Sequence, residues 1–167
     1  MRHCLVLLLL ILSPLRSAEA QETLPSPTGE VLLTVTGKVE RTNGPNGAEF
    51  DRSMLEALGV VSIQTSTSFT DGRKTFEGVP LGVVLARIGA RGTTLKATAL
   101  NDYSISLPVS DLTHDPILAM RMDGVLLTPR DKGPLWIVFP KDRLGSLMEG
   151  AENDSKWVWQ LDRLDVE

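Results

Sequence analysis

The chain has 167 residues, 42% of them hydrophobic, which is enough for one compact domain and too few for two ordinary ones. The 17 Lys and Arg residues against 21 Asp and Glu give a formal charge of −4, so no basic surplus indicates a nucleic-acid partner. The single cysteine, Cys4, lies in an N-terminal leader, and its position excludes disulfides, cysteine nucleophiles and thiolate metal sites from the rest of the chain.

That leader, residues 1–20, is typical of a secretory signal peptide. Residues 1–3 form a short positive start, residues 4–12 an apolar run, and Ala18-Glu19-Ala20 a small-x-small cleavage signal. The alternative, a transmembrane anchor, needs about 20 apolar residues, and this run is much shorter. We therefore predict cleavage before Gln21 and a periplasmic protein with no membrane insertion. Cleavage leaves a formal charge of −5.

Many short strands and three short helices are predicted in the rest of the chain. Residues 21–29 have no periodic apolar pattern and are predicted as a flexible lead-in to a domain over residues 30–167. Asp51 is predicted to cap a helix over residues 52–58, and two more helices are expected over residues 80–88 and 142–148. The apolar patterns predict strands over residues 31–36, 60–68, 76–79, 95–99, 103–107, 117–122, 125–127, 135–139 and 156–166.

The arrangement of these elements predicts the fold class. Asn101-Asp102 and Asp123-Gly124 are expected to turn two β-hairpins. In the last strand, alternation places Trp157, Trp159 and Leu161 on one face. Because there is no βαβ alternation, we predict an α+β domain, a single mixed β-sheet with short helices.

Catalytic signatures are not found. The sequence has no G-x-S-x-G elbow, H-E-x-x-H helix, P-loop or G-x-G-x-x-G motif. His114, the one histidine outside the leader, precedes Asp115 between two predicted strands, where a surface loop explains the pair better than a hydrolytic dyad. We predict no catalytic residue.

Charged and aromatic residues that could bind a ligand are most concentrated in residues 130–140. Arg130, Asp131 and Lys132 are predicted to lie in a turn, and Trp136 and Phe139 follow on a strand. A planar heterocycle with an amide-like edge binds to such a set, which offers an aromatic face, a carboxylate for N–H groups and cations for anionic substituents. Alternatively, the turn is merely solvated and the two aromatic residues belong to the core.

Two further segments are candidates for the same site. Asn101-Asp102-Tyr103 is a predicted hairpin tip, although Asn and Asp are also ordinary turn residues. The segment Thr65-Ser66-Thr67-Ser68-Phe69 has hydroxyl groups that line a polar cleft or simply face solvent.

Five motifs in a fixed order resemble one known family. They are Phe76-Glu77-Gly78-Val79-Pro80-Leu81, Asn101-Asp102-Tyr103-Ser104-Ile105-Ser106-Leu107-Pro108, Asp123-Gly124-Val125-Leu126-Leu127, Gly133-Pro134-Leu135-Trp136-Ile137-Val138-Phe139-Pro140 and Lys156-Trp157. Together they resemble the oxidoreductase molybdopterin-binding domain of the sulfite oxidase family, from about residue 32 to residue 166. The resemblance implies a mixed α+β fold that holds a pterin in a central cleft.

The sequence departs from those enzymes at the metal ligand. Sulfite oxidases hold molybdenum through a cysteine thiolate, and the matching strand here, residues 63–67, has Thr65, Ser66 and Thr67 instead. A hydroxyl has neither the acidity nor the softness of a thiol. Trp136 stands where the enzymes commonly have an arginine. The chain is thus similar to small periplasmic proteins of this fold that bind a reduced pterin and act on a membrane protein that makes or degrades cyclic di-GMP.

The resemblance implies a metal-free, non-enzymatic pterin sensor. Trp136 or Tyr103 would stack on the ring, and Asp102 or Asp131 would bind its 2-amino edge. Arg121, Arg130 or Lys132 would contact the carbonyl or the substituent. The alternatives are a molybdopterin-dependent oxidoreductase with atypical metal ligation and an interaction module that has lost ligand binding. The expected ligand-binding residues are Thr65, Ser66, Phe69, Asn101, Asp102, Tyr103, Arg121, Arg130, Asp131, Lys132 and Trp136.

Overall fold

The computed structural model describes residues 23–167, so the predicted signal peptide lies outside the described residues. Its ten strands are β1 (Val31–Gly37), β2 (Ala48–Asp51), β3 (Val61–Ser66), β4 (Arg73–Pro80), β5 (Thr94–Ala99), β6 (Ser104–Pro108), β7 (Ile117–Met122), β8 (Val125–Leu126), β9 (Leu135–Val138) and β10 (Trp159–Val166). Its four α-helices are α1 (Arg52–Ala57), α2 (Leu81–Arg87), α3 (Lys141–Leu144) and α4 (Ala151–Asp154). Within this range no helix has the length and apolar character needed to cross a membrane.

The strands form one mixed sheet with β10 at its branch point. The order along the main path is β2-β1-β10-β9-β7-β4-β3, with β5 and β6 branching from β10 and β8 paired with β7. The β1–β10 pair is parallel, and the other strand pairs are antiparallel. The predicted α+β class is therefore confirmed.

Both predicted hairpins are present. Leu95 pairs with Leu107, and Met122 pairs with Val125. The turn residues Asp102 and Asp123 have φ of 62° and 51°, a region that aspartate tolerates better than most residues with a Cβ. The turn residues in the sequence therefore predicted both hairpins correctly.

Three short elements were not predicted. They are β2, α4 and a 3₁₀ turn over Val109–His114. Each has four to six residues, which is too short for an apolar period to stand out from its surroundings.

The predicted alternation at the start of β10 is wrong. Trp157 and Leu161 are buried, but Trp159 is 37% exposed. The pairing of β10 with β9 shifts between Trp159 and Leu161, and Gln160 has a φ of 52°. Such a bulge adds one residue to one strand and breaks the two-residue period, which exposes the Trp159 side chain.

Aromatic side chains fill the core. The largest fully buried side chains include Trp136, Trp157, Phe50, Phe76 and Phe139. The Trp136 and Phe76 rings meet edge to face, with centroids 5.3 Å apart and planes at 90°. Such pairs add stabilisation beyond the apolar area that they bury.

The segment predicted as a lead-in lies against the domain where the structure describes it. Leu24 is buried, and the backbone N–H groups of Thr28 and Gly29 donate to Asp51 Oδ2 at 2.8 and 2.9 Å. Asp51 Oδ1 accepts from Met54 N and Ser53 Oγ, at 2.8 and 2.7 Å. Asp51 is therefore the predicted cap of α1, and it also anchors residues 28–29.

Replacing Asp51 with alanine is expected to lower the free energy of unfolding by about 2–4 kcal/mol near neutral pH, since five donors lose a buried acceptor. The Met54 N–H first, and then the Ser53 hydroxyl, hold the pKa of Asp51 well below its ordinary value. Its stabilisation is complete above the unfolded pKa of about 3.9 and is lost as the pH falls toward the lower folded pKa. Chemical denaturation of both proteins at pH 7 and at about pH 2.5 checks this. If Asp51→Ala lowers the free energy of unfolding by the same amount at both pH values, the result would contradict this prediction.

Candidate functional site

Two pockets that share Trp159 form the candidate site. We call the first the aromatic pocket, which has a volume of about 280 Å³, and the second the cationic pocket, which has about 380 Å³. Small-ligand pockets typically have about 300–1,000 Å³, so the cationic pocket falls within this range and the aromatic pocket lies just below it. The aromatic pocket is lined by Ala99, Asn101, Tyr103, Ser155, Trp157, Val158 and Trp159. The cationic pocket is lined by Met122, Arg130, Asp131, Lys132, Trp159 and Gln160.

The bulge at Gln160 joins the two loops that border the pockets. The Gln160 backbone N–H donates to the Lys132 carbonyl at 3.0 Å, and the Gln160 carbonyl accepts from Leu100 N at 2.8 Å. The Gln160 side-chain amide also donates to the Pro129 carbonyl. Gln160 is thus hydrogen-bonded to the loop at residues 129–132 and to the hairpin tip after β5, and it links the two.

Trp159 offers an aromatic surface next to a cation. Its ring meets Phe69 edge to face with centroids 4.8 Å apart, and the Lys132 ammonium lies 5.7 Å from its centroid. Lys132 has a φ of 97°, which is unusual for a residue with a Cβ. A ring that stacks on Trp159 would therefore lie beside a positive charge that is already held in place.

The aromatic pocket has a second exposed ring and one unpaired donor. Tyr103 is 47% exposed, and its hydroxyl donates to the Ser155 carbonyl at 3.4 Å. Trp157 is 1% exposed, and its indole Nε1 is buried without an acceptor in residues 23–167. An unpaired buried donor costs about 1–3 kcal/mol.

The cationic pocket has a net positive charge. Arg130 and Lys132 form no ion pair with the described residues, while the Asp131 carboxylate accepts from Thr128 Oγ1 at 2.9 Å. Two cations against one hydrogen-bonded carboxylate favour a carbonyl, hydroxyl or anionic group of a ligand. Arg130, Asp131 and Lys132, which are consecutive in the sequence, all line this pocket.

Trp136 is not available for stacking, and this part of the predicted site is corrected. Its side chain has no exposed surface, and its Nε1 donates to the Trp157 carbonyl at 3.3 Å. Phe76, Trp157 and the Lys132 ammonium surround the ring. Trp136 and Phe139 both belong to the core, as the second interpretation of this segment expected.

Asp102 and Arg121 lie outside both pockets and bind other partners, which corrects their predicted roles. Asp102 forms an ion pair with Arg163 at 2.7 Å. Arg121 pairs with Glu56 of α1 at 3.2 Å. Asp102 and Arg121 are therefore each engaged in an ion pair outside the two pockets.

Thr65 and Ser66 hold α3 and do not line either pocket. Thr65 is fully buried, and its Oγ1 accepts from Asp142 N at 3.2 Å. The Ser66 hydroxyl and backbone N–H both donate to Asp142 Oδ1, and Arg73 pairs with Oδ2 at 2.8 Å. The Ser66 hydroxyl is the main cause that lowers the pKa of Asp142. The Thr65 and Ser66 hydroxyls are therefore committed within the protein.

Sequence reasoning missed Trp157 and Trp159 as pocket residues. Both alternate with polar or smaller residues in a pattern that is typical of a buried strand face. The signal that distinguishes Trp159 is the bulge at Gln160, and a bulge at a non-glycine residue has no clear sequence signature.

Comparison with known proteins gives a family and a fold. Residues 32–165 match the family described as oxidoreductase molybdopterin binding domain. Among solved structures, the chain is similar to the sulfane dehydrogenase SoxCD from Paracoccus pantotrophus, with 22% sequence identity and a TM-score of 0.59 over 80% of this chain. The match covers 37% of that chain. At 22% identity, the similarity shows the fold alone. The comparison with curated proteins finds no significant match.

Proposed function

Since the chain belongs to the oxidoreductase molybdopterin-binding domain family, we propose that it binds a reduced pterin without a metal and without catalysis. The observation that carries the proposal is the aromatic pocket, where Tyr103 and Trp159 expose ring surface. The adjoining cationic pocket supplies Arg130 and Lys132 for the polar part of the ligand.

The residues present do not fit a molybdenum centre of the thiolate kind. The sequence has no cysteine beyond Cys4, and residues 23–167 contain no cluster of three His, Cys, Asp or Glu side chains. In the strand that the resemblance aligns with the metal ligand, Thr65 offers a hydroxyl that is already hydrogen-bonded to Asp142. A hydroxyl in that position is a poor ligand for a soft, thiolate-binding metal.

The bound pterin ring would stack on Trp159 or Tyr103, and its polar groups would contact Arg130 and Lys132. A stacked base contributes about 1–3 kcal/mol, and a charge-assisted hydrogen bond about 1.5–3 kcal/mol. One stack with three or four such bonds supports micromolar binding, about −8 kcal/mol, after the cost of association. No covalent bond is needed at this affinity.

The biological part of the proposal is regulation. The leader at residues 1–20 would export the protein to the periplasm, where the ligand-bound form would act on an inner-membrane enzyme that makes or degrades cyclic di-GMP. The resemblance to small periplasmic pterin-binding proteins supports this role. Replacing the chromosomal gene with a Trp159→Ala version should then abolish the response of cyclic di-GMP levels to pterin depletion.

Isothermal titration of the exported protein with tetrahydrobiopterin tests ligand binding. We expect a dissociation constant in the micromolar range, weakened about 10- to 150-fold by Arg130→Gln, which removes one charge-assisted bond. Arg121→Gln is the matched control, because Arg121 pairs with Glu56 outside the pockets and its loss should leave binding unchanged. No heat and no thermal shift at high micromolar ligand would reject the pterin. Equal weakening by both substitutions would reject the assigned pocket.

A further inference from the structure

We infer that Gln160 is a positioning residue of the cationic pocket, which holds the loop at residues 129–132 so that Arg130 and Lys132 meet the ligand. The inference rests on the proposed function and adds to it a residue that acts on affinity through its neighbours. Gln160 lines this pocket together with Met122, Arg130, Asp131, Lys132 and Trp159.

The hydrogen bonds of the loop show what holds it. Within residues 23–167, the two hydrogen bonds that join residues 129–132 to the sheet both come from Gln160. Its backbone N–H donates to the Lys132 carbonyl at 3.0 Å, and its side-chain amide donates to the Pro129 carbonyl at 2.5 Å. The remaining bonds are local, since Asp131 N donates to the Thr128 carbonyl and Thr128 Oγ1 donates to the Asp131 carboxylate. Without Gln160 the loop would keep its turn and lose its hydrogen bonds to the sheet.

The backbone at residue 160 favours a role for the side chain. Gln160 has a φ of 52°, a conformation that glycine and asparagine adopt more readily than glutamine. Either of them would suit the bulge, but glycine has no side chain and the asparagine side chain is one carbon shorter. Glutamine differs from both because its amide has the length that reaches the Pro129 carbonyl.

The position of the loop sets where its two cations lie. Arg130 and Lys132 form no ion pair with the described residues, although the Lys132 ammonium contacts the rings of Trp136 and Trp159. A loop that is already ordered loses less conformational freedom when a ligand binds, and this saving increases affinity. The hydrogen bond from Gln160 to Pro129 should therefore strengthen binding without contacting the ligand.

Two variants separate the side chain from the backbone. Gln160→Met keeps the length of the side chain and removes its amide, whereas Gln160→Gly also relieves the positive φ. We expect each to weaken tetrahydrobiopterin binding by about 2- to 10-fold in titration calorimetry, the effect of one neutral hydrogen bond. Gln160→Gly should nevertheless keep the Tm of the parent. Gln64→Met is the matched control, because Gln64 is exposed on β3 outside both pockets. Unchanged affinity in both Gln160 variants would overturn the inference.

A double-mutant cycle tests whether Gln160 acts through Arg130. In the protein that carries both Gln160→Met and Arg130→Gln, the loss of affinity should be smaller than the product of the two single losses, because the group that Gln160 positions is already gone. Losses that simply multiply would show that the two residues act independently, and would overturn the inference.

Amide hydrogen exchange of the ligand-free protein gives a readout that needs no pterin. The Asp131 and Gly133 amides both donate to the Thr128 carbonyl at 2.8 Å, and they should exchange about 2- to 10-fold faster in Gln160→Met. The Ile137 amide in β9 should keep its rate. Unchanged rates at the two loop amides would overturn the inference whether or not a pterin binds. If the parent binds no pterin, the proposed function is rejected, and faster exchange would still show that Gln160 orders the loop.

Discussion

Replacing Trp136 with alanine is expected to lower the free energy of unfolding by about 3–5 kcal/mol, the range seen when large core aromatic residues are truncated. Its side chain has no exposed surface, and it contacts Phe76, Trp157 and Lys132. The substitution also leaves the Trp157 carbonyl without the Nε1 donor of Trp136. Since whole domains are stable by only about 5–15 kcal/mol, much of the population would unfold at modest temperature.

Urea denaturation followed by circular dichroism measures this loss. Tyr103→Ala is a suitable control, because Tyr103 is half exposed and its truncation should cost far less stability. A Trp136→Ala protein that keeps the stability of the parent and loses only ligand binding would show that Trp136 is a ligand-stacking residue after all.

Replacing Trp159 with alanine is expected to weaken pterin binding by about 5- to 150-fold, which corresponds to the loss of one stacking contact of about 1–3 kcal/mol. Trp159 lines both pockets, is 37% exposed and lies next to the Lys132 ammonium. Stability should change much less than for Trp136, because part of this ring is already in water.

Titration calorimetry and thermal unfolding of the same preparations separate the two effects. Trp159→Phe should retain most of the affinity, since an aromatic face remains. Leu126→Ala, at an exposed apolar residue outside both pockets, should leave binding unchanged. If Trp159→Ala binds as tightly as the parent, the ring is stacked elsewhere, and Tyr103 becomes the residue to test.

The sequence predicted the parts of the fold that local chemistry determines. Asp51 was predicted as a helix cap from its position before an apolar helical pattern, and it accepts from Met54 N as expected. The hairpins at Asp102 and Asp123 followed from residues that tolerate positive φ. These features depend on a few neighbouring residues and not on distant contacts.

The site was harder to predict because it depends on tertiary packing. Arg130, Asp131 and Lys132 were identified as a cluster, but the exposed ring beside them is that of Trp159, whereas the Trp136 ring is buried. Periodicity assigns Trp157 and Trp159 to one buried strand face, and only the bulge at Gln160 distinguishes them. Similarly, the partners of Asp102 and Arg121 are far away in the sequence, at Arg163 and Glu56, so no local pattern could show that both are engaged.

The most direct test of metal-free pterin binding is the content of the protein purified from its own periplasm under anaerobic conditions. Elemental analysis and mass spectrometry of the same sample would measure molybdenum and released pterin per chain. We predict a reduced pterin approaching one per chain and molybdenum at trace level. Stoichiometric molybdenum would contradict the proposal and favour an oxidoreductase with atypical metal ligation.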